Sequence, residues 1–245
     1  MMLGRHLKGH LLRFERRTAP PHDAAAGLRL MLIFLLLESA IGPRLTLFTL
    51  LGWPVPPGWV RVPALLILAL VLIRFFGRVT PAQIGLVPWR EWSLTEKSYF
   101  IQGLVIATAI FGMLYAGRLS RVVADPALWG ATALGVATHF LWGCYQELMY
   151  RGILQTELVR MWGVVPGILV SNLLFTFGPL HVHHFSGRTL PQALPMFAGI
   201  FAIGLFFGLL FRRSGNLAMV GMFHGLGDAW ISGLSEGLAV PAARR

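Results

Sequence analysis

Long apolar runs, separated by short polar or basic stretches, dominate the chain from residue 28 onward. A hydrocarbon core of about 30 Å takes roughly 20 apolar residues per helix, and several of these runs have that length. We therefore predict an all-α fold, a polytopic transmembrane helix bundle with about seven spans. The predicted spans are 28–51, 60–76, 98–116, 128–149, a run that ends near residue 180, 194–211 and 216–234.

Polar and helix-breaking residues divide the chain into three predicted regions. Residues 1–27 are basic and lack a short apolar core followed by a cleavage site, which favours a cytoplasmic tail over a signal peptide. Residues 28–126 are predicted to hold the N-terminal transmembrane helices, with a break at Gly42-Pro43 and an interfacial segment around Trp89 and Trp92. Residues 127–236 are predicted to form a second helix bundle, the one with polar residues inside its apolar runs.

Composition narrows the class of protein. The 245 residues are 56% hydrophobic and 13% charged, which excludes an ordinary soluble domain. The net charge of +11 comes from Lys and Arg that lie between apolar runs, so we predict membrane lipids and no nucleic acid as partners. The distribution of basic residues favours a cytoplasmic N-terminus in the cell inner (plasma) membrane. A single cysteine, Cys144, excludes an internal disulfide and is interpreted as a packing residue.

Three polar clusters interrupt the apolar runs of the second bundle. They are Gln146-Glu147 with Arg151, Phe177 with His181, and His224 with Asp228. Ionisable groups in a membrane are costly unless they pair or face water, which makes these residues the leading functional candidates. The spacing of Glu147 and Arg151, like that of His224 and Asp228, places each pair on one face of a helix.

Helical rise predicts that the three clusters lie at a common depth. Each is separated by about 17–25 Å of helix from the turn that should mark the same membrane surface. In such a layer a carboxylate near a histidine can take a proton from water, and a second histidine can stabilise an oxyanion. This inventory favours hydrolysis of an amide within the membrane.

Two further interpretations of the polar residues stay open. A divalent metal could be held by His181, His224 and Glu147, although the spacing is wider than in most helix-borne metal sites. His139 lies on nearly the same helical face as Gln146 and Glu147, and is interpreted as an interhelical histidine.

The order of these motifs resembles the CPBP family of intramembrane proteases, which includes the CAAX prenyl endopeptidases and the bacteriocin-processing, Abi-like proteins. That family shows Glu-Glu-x-x-x-Arg, then Phe-x-x-x-His, then His-x-x-x-Asn or Asp, and the resemblance covers residues 128–234. It implies a glutamic protease, formerly described as a metalloprotease, without a cofactor, acting on membrane-anchored or lipidated peptides. By the same resemblance, the first glutamate of the motif, which corresponds to Gln146 here, activates water with the histidine at 181, and His224 with Asp228 forms the oxyanion site. Our leading hypothesis gives the role in water activation to Glu147 with His181, with Gln146, Arg151 and Phe177 in support.

The chain departs from this pattern at Gln146, where the family has glutamate. An amide does not titrate, but it can orient water through hydrogen bonds. Either Glu147 serves as the base, or the protein is a catalytically impaired member that acts as a membrane peptide-binding or scaffold protein.

Overall fold

A computed structural model describes residues 22–41, 50–178 and 181–239. The part of the chain within these ranges is helical and contains no β-strand, which confirms the predicted all-α fold there. Most of the predicted basic tail and the Gly42-Pro43 break lie outside the described residues.

Within residues 22–41 and 50–126, the structure describes four α-helices of the N-terminal region. They are α1 (Ala24–Leu35), α2 (Gly58–Val71), α3 (Leu94–Leu114) and α4 (Ala116–Ala124). Two of them continue as wider π-helical turns, α1 through Leu36–Ile41 and α2 through Leu72–Phe76. Helix α3 begins where the sequence supplies a capping box, since Ser93 and Glu96 each accept a hydrogen bond from the other's backbone N–H.

In the second region, residues 127–178 and 181–239 as described, there are six α-helices. They are α5 (Trp129–Glu147), α6 (Thr156–Trp162), α7 (Val164–Phe177), α8 (Leu190–Ser214), α9 (Leu217–Asp228) and α10 (Leu234–Ala239). Helix α5 runs into α6 through π-helical turns at Leu148–Gln155, and α9 runs into α10 through Ala229–Gly233. The two π-helical segments thus begin directly after Glu147 and Asp228. Such widened turns are frequent at functional sites.

Three helices of the described part are long and apolar enough to cross a membrane: Gly58–Phe76, Leu94–Leu114 and Leu190–Ser214. Val164–Phe177 is apolar but shorter. The count of seven spans is therefore not confirmed, because the other predicted spans correspond to helices that are shorter or more polar. Helix α3 shows the lipid-facing character most clearly, since large side chains such as Val105 and Ile106 are exposed along it.

Helix α5 lies at the centre of the second region, in contact with α2, α9 and α10. Its backbone meets that of α9 directly, because a Cβ atom on Gly143 would lie 2.6 Å from the Cα atom of Gly225. Only glycine permits such a close approach of two helices in a membrane. This crossing brings the end of α5 and the middle of α9 together.

Candidate active site

Glu147 and His224 form the centre of the site. The carboxylate is fully buried, and His224 Nδ1 donates to Glu147 Oε1 across 2.6 Å. The close crossing of the two helices at Gly143 and Gly225 explains this contact. Gly143 lies about one helical turn before Glu147, and Gly225 directly follows His224. A carboxylate bound to one ring nitrogen fixes the orientation of an imidazole and leaves its other nitrogen available.

Arg151 stabilises the opposite side of the same carboxylate. Its Nε atom lies 3.3 Å from Glu147 Oε2, and its Nη2 donates to the carbonyl oxygen of Gly204 across 2.6 Å. The guanidinium also lies over the ring of Phe175, with 4.2 Å from Cζ to the ring centroid. The predicted pairing of Glu147 with Arg151 is therefore present, and the buried charge of the carboxylate is compensated.

Asp228 lies at the accessible end of the same group. Its Oδ2 atom is 3.7 Å from His224 Nε2 and accepts a 3.4 Å hydrogen bond from Gln146 Nε2. Side-chain exposure rises from 0% at Glu147 through 11% at His224 to 24% at Asp228. The chain of contacts thus leads outward from a buried ion pair.

His181 joins this group through an aromatic ring. Its Nδ1 donates to the carbonyl oxygen of Phe175 across 2.8 Å, and the two ring centroids are 4.5 Å apart. The centroid of the same phenylalanine ring is 5.9 Å from that of His224. His181 is therefore connected to the site through the Phe175 ring, which lies next to both histidines.

Phe177 lies apart from this group. It is 53% exposed, and its ring packs against Phe185 and Phe197. The phenylalanine that contacts both histidines and the guanidinium is Phe175, two residues earlier. The supporting position expected at Phe177 is thus occupied by a neighbouring side chain that the motif did not single out.

A cavity of about 400 Å³ opens beside His224 and Asp228. It lies between α3, α8 and α9, and most of its wall is apolar, with Phe111, Phe206 and Phe223 among the lining residues. Phe207 forms another part of the wall and stacks on His224 with 5.1 Å between ring centroids. The two polar side chains therefore face a space that suits a hydrocarbon chain.

The other polar candidates of the sequence lie outside this group. His139 pairs with Glu236 across 2.8 Å, which agrees with an interhelical role. The Cys144 thiol donates a 3.4 Å hydrogen bond to the Gly221 carbonyl oxygen. His184 stacks against His181, with the ring centroids 5.8 Å apart.

The residues of the alternative metal site are not grouped around a common point. Among the residues that the structure describes, no group of three or more His, Cys, Asp or Glu side chains is arranged to hold a metal ion. The contacts connect Glu147 to His224, whereas His181 is oriented by a backbone carbonyl oxygen. The proposed set of His181, His224 and Glu147 therefore does not fit a metal in this arrangement.

Sequence reasoning missed the apolar residues of the site. Phe175 and Phe207 lie within long apolar runs, where nothing distinguishes them from lipid-facing neighbours. Gly143 offered a usable signal, because a glycine one turn before a buried carboxylate indicates a close helix crossing.

The comparisons with known proteins agree with this location. Residues 128–230 match a family model described as Rce1-like, Type II CAAX prenyl endopeptidase Rce1-like. The matched stretch contains every site residue predicted from the sequence, and the resemblance to the CPBP family is confirmed. No curated protein and no solved structure matches the chain.

Proposed function

Because residues 128–230 form an Rce1-like region, which supports a membrane-embedded hydrolase of the protease class, we propose that this protein is an intramembrane endopeptidase. It hydrolyses peptide bonds of membrane-associated, lipidated substrates. The observation that carries the proposal is the buried Glu147–His224 pair, whose outer nitrogen and neighbouring Asp228 face an apolar cavity.

The distances favour His224 as the group that activates water. Its Nδ1–H is held by Glu147, so its Nε2 can accept a proton from a water bound between it and Asp228. The resulting hydroxide attacks the scissile carbonyl carbon, and the imidazolium then returns the proton to the leaving amine. Glu147 stabilises the imidazolium, and Arg151 holds the Glu147 carboxylate in place. Neither touches the substrate, so both are positioning residues.

This assignment modifies the roles that the family pattern implies. There, the first glutamate of the motif, at position 146, acts with His181 on the water, and His224 with Asp228 binds the oxyanion. In our proposal His224 and Asp228 hold the water, while His181 acts through the Phe175 ring that supports His224. The proposal uses no metal and no other cofactor, and it needs no carboxylate at position 146.

The cavity supports a lipidated substrate. Its volume lies within the range of about 300–1,000 Å³ that is usual for ligand pockets, and its walls are mostly apolar. The name of the matching family refers to CAAX prenyl substrates. We propose that the prenyl chain of a CAAX peptide occupies the cavity and brings its scissile bond to His224. The N-terminus is proposed to lie on the cytoplasmic side of the inner membrane.

The test is cleavage of two peptides of one CAAX sequence, with and without a prenyl group on the cysteine, by detergent-solubilised protein. We expect cleavage of the prenylated peptide and a loss of about 10²–10⁴-fold in kcat/KM for His224→Gln. The matched control is His22→Gln, since that histidine pairs with Glu157 across 2.6 Å and does not line the cavity. Equal activity of His224→Gln and the unmodified protein would contradict the proposal.

The variant His181→Gln separates the two assignments of roles. If His181 acts only through Phe175, its loss lowers activity less than the loss of His224 does. Equal, near-complete losses in both variants would favour the roles implied by the family pattern. Elemental analysis of active protein would in addition reveal any stoichiometric metal.

A further inference from the structure

Three arginines surround the turn that follows α2. Arg74 lies in its last π-helical turn, and Arg78 follows Gly77, where the chain leaves the helix. Arg29 reaches the turn from α1, with its Nε atom 3.4 Å from the Gly77 carbonyl oxygen. The Val79 N–H donates to Ile73 O across 3.2 Å and so folds Arg78 back beside the turn that carries Arg74.

The backbone at Arg78 has a conformation that few non-glycine residues adopt. Its φ of 56° is in the left-handed region, and it is the one described non-glycine residue with a positive φ. Such strain persists where the surrounding structure or a function requires it. Arg74 and Arg78 are exposed, and neither forms an ion pair within the described ranges 22–41, 50–178 and 181–239. Their two positive charges are therefore available to an anion.

An apolar groove begins next to these charges. Its volume is about 340 Å³, and it lies between the end of α2 and the turn that follows. Its lining is hydrocarbon apart from the side chain of Arg74, and includes Leu70, Ile73, Val79, Ile84 and Leu86. The groove thus combines an apolar space with a cation at one end, beside a helix that is long enough to cross a membrane.

We propose that this groove is a binding site for one anionic phospholipid, with its phosphate at Arg74 and Arg78 and an acyl chain along Leu70 and Ile73. Guanidinium groups bind phosphate oxygens through paired, charge-assisted hydrogen bonds. A free phosphate would leave the groove unused, and a zwitterionic lipid would leave net positive charge uncompensated. The site is distinct from the cavity at His224, because the two share no lining residue.

The test is native mass spectrometry of the full chain in detergent, with phosphatidylglycerol and phosphatidylcholine of identical acyl chains. We expect the unmodified protein to retain phosphatidylglycerol preferentially. The double variant Arg74→Gln/Arg78→Gln should reduce that affinity by about tenfold or more, because it removes charged hydrogen bonds to the phosphate. The matched control, Arg90→Gln/Arg188→Gln, removes the same charge at exposed arginines elsewhere and should keep the preference.

Two more variants make the result specific. Arg78→Gly removes the guanidinium but suits the left-handed backbone, so a loss of lipid there cannot be attributed to misfolding. Leu70→Trp fills the groove and should weaken the phospholipid while leaving soluble glycerol phosphate unaffected. The proposal is overturned if the control loses lipid as the double variant does, which would indicate general charge attraction. It is also overturned if Leu70→Trp binds phosphatidylglycerol normally, or if phosphatidylcholine is retained equally well.

Discussion

The helix that carries Glu147 has a second buried carboxylate near its other side, and the two differ in their partners. Glu147 is completely buried and contacts an imidazole and a guanidinium. Glu38, at the end of α1, is 3% exposed and accepts a 3.1 Å hydrogen bond from the hydroxyl of Tyr150. The hydroxyl of Tyr145 is buried next to the same carboxyl group.

The two surroundings suit different tasks. A carboxylate that is paired with a guanidinium can stabilise the positive charge that forms on a neighbouring histidine. A carboxyl group among phenol hydroxyls, enclosed by Phe34 and Phe175 against the Tyr150 ring, has no access to the cavity. Burial alone therefore does not identify a functional carboxylate in this membrane protein. What distinguishes the two carboxylates is the side chains that pair with each and whether the pair connects to a cavity.

The largest expected effect is the loss of activity when Glu147 is changed. Glu147→Gln keeps the shape of the side chain but removes the charge that orients and stabilises His224, so we expect kcat/KM to fall by about 10³–10⁴-fold. Glu38→Gln, the matched change on the other side, should leave kcat/KM near that of the unmodified protein. Similar losses in both variants would show that the two carboxylates are not functionally different.

The next largest effect is on stability at Arg151. Arg151→Met leaves Glu147 buried beside His224 alone, and removing one partner of a buried ion pair costs about 3–5 kcal/mol. Unfolding by denaturant in mixed micelles measures this loss. Adding Glu147→Gln to Arg151→Met should recover part of the stability, because the stranded charge is then gone. Strictly additive losses would mean that the pair contributes nothing through its charges.

A smaller effect is expected at the position where the chain departs from the family pattern. Gln146→Glu replaces the amide that donates to Asp228 with a second carboxylate beside it, at the cost of one hydrogen bond and with added repulsion. We expect kcat/KM on the prenylated peptide to fall by about tenfold, in keeping with one lost hydrogen bond of about 1–2 kcal/mol. A large gain in proteolysis would instead identify the natural protein as impaired.

The smallest effect is expected at Tyr150, whose hydroxyl donates to Glu38. Tyr150→Phe removes the hydrogen bond to Glu38 but keeps the ring against Phe34 and Phe175. The free energy of unfolding should fall by about 1 kcal/mol, with activity retained. Tyr115→Phe, on the outer part of the bundle, is a control for the general cost of losing a phenol hydroxyl. An activity loss as large as that of Glu147→Gln would connect Glu38 to catalysis.

Local spacing made several features of the site predictable. Glu147 with Arg151, and His224 with Asp228, stand one helical turn apart, and both pairs are present in the structure. The cost of burying ionisable groups in lipid singled out the same helices as functional. The apolar runs predicted the helices themselves, although not how many of them cross the membrane.

The partner of Glu147 was beyond local reasoning. Both His181 and His224 were available at a similar depth, and the choice depends on how closely α5 and α9 approach. Local reasoning also could not tell that Phe175, and not Phe177, contacts the site. Positions two residues apart point about 200° apart on a helix, and in a uniformly apolar run no periodicity tells which side faces the bundle.

The amino-acid sequence by itself determined that this protein is helical and membrane-embedded, and which polar residues are the candidates for its chemistry, because hydrophobic run length and helical spacing are local properties. Only the tertiary structure decided that His224 holds Glu147, that Phe175 connects the two histidines, and that Glu38 lies outside the site. These are contacts between distant segments. They depend on the geometry with which glycine-lined helix surfaces pack, and that geometry is a property of the whole bundle.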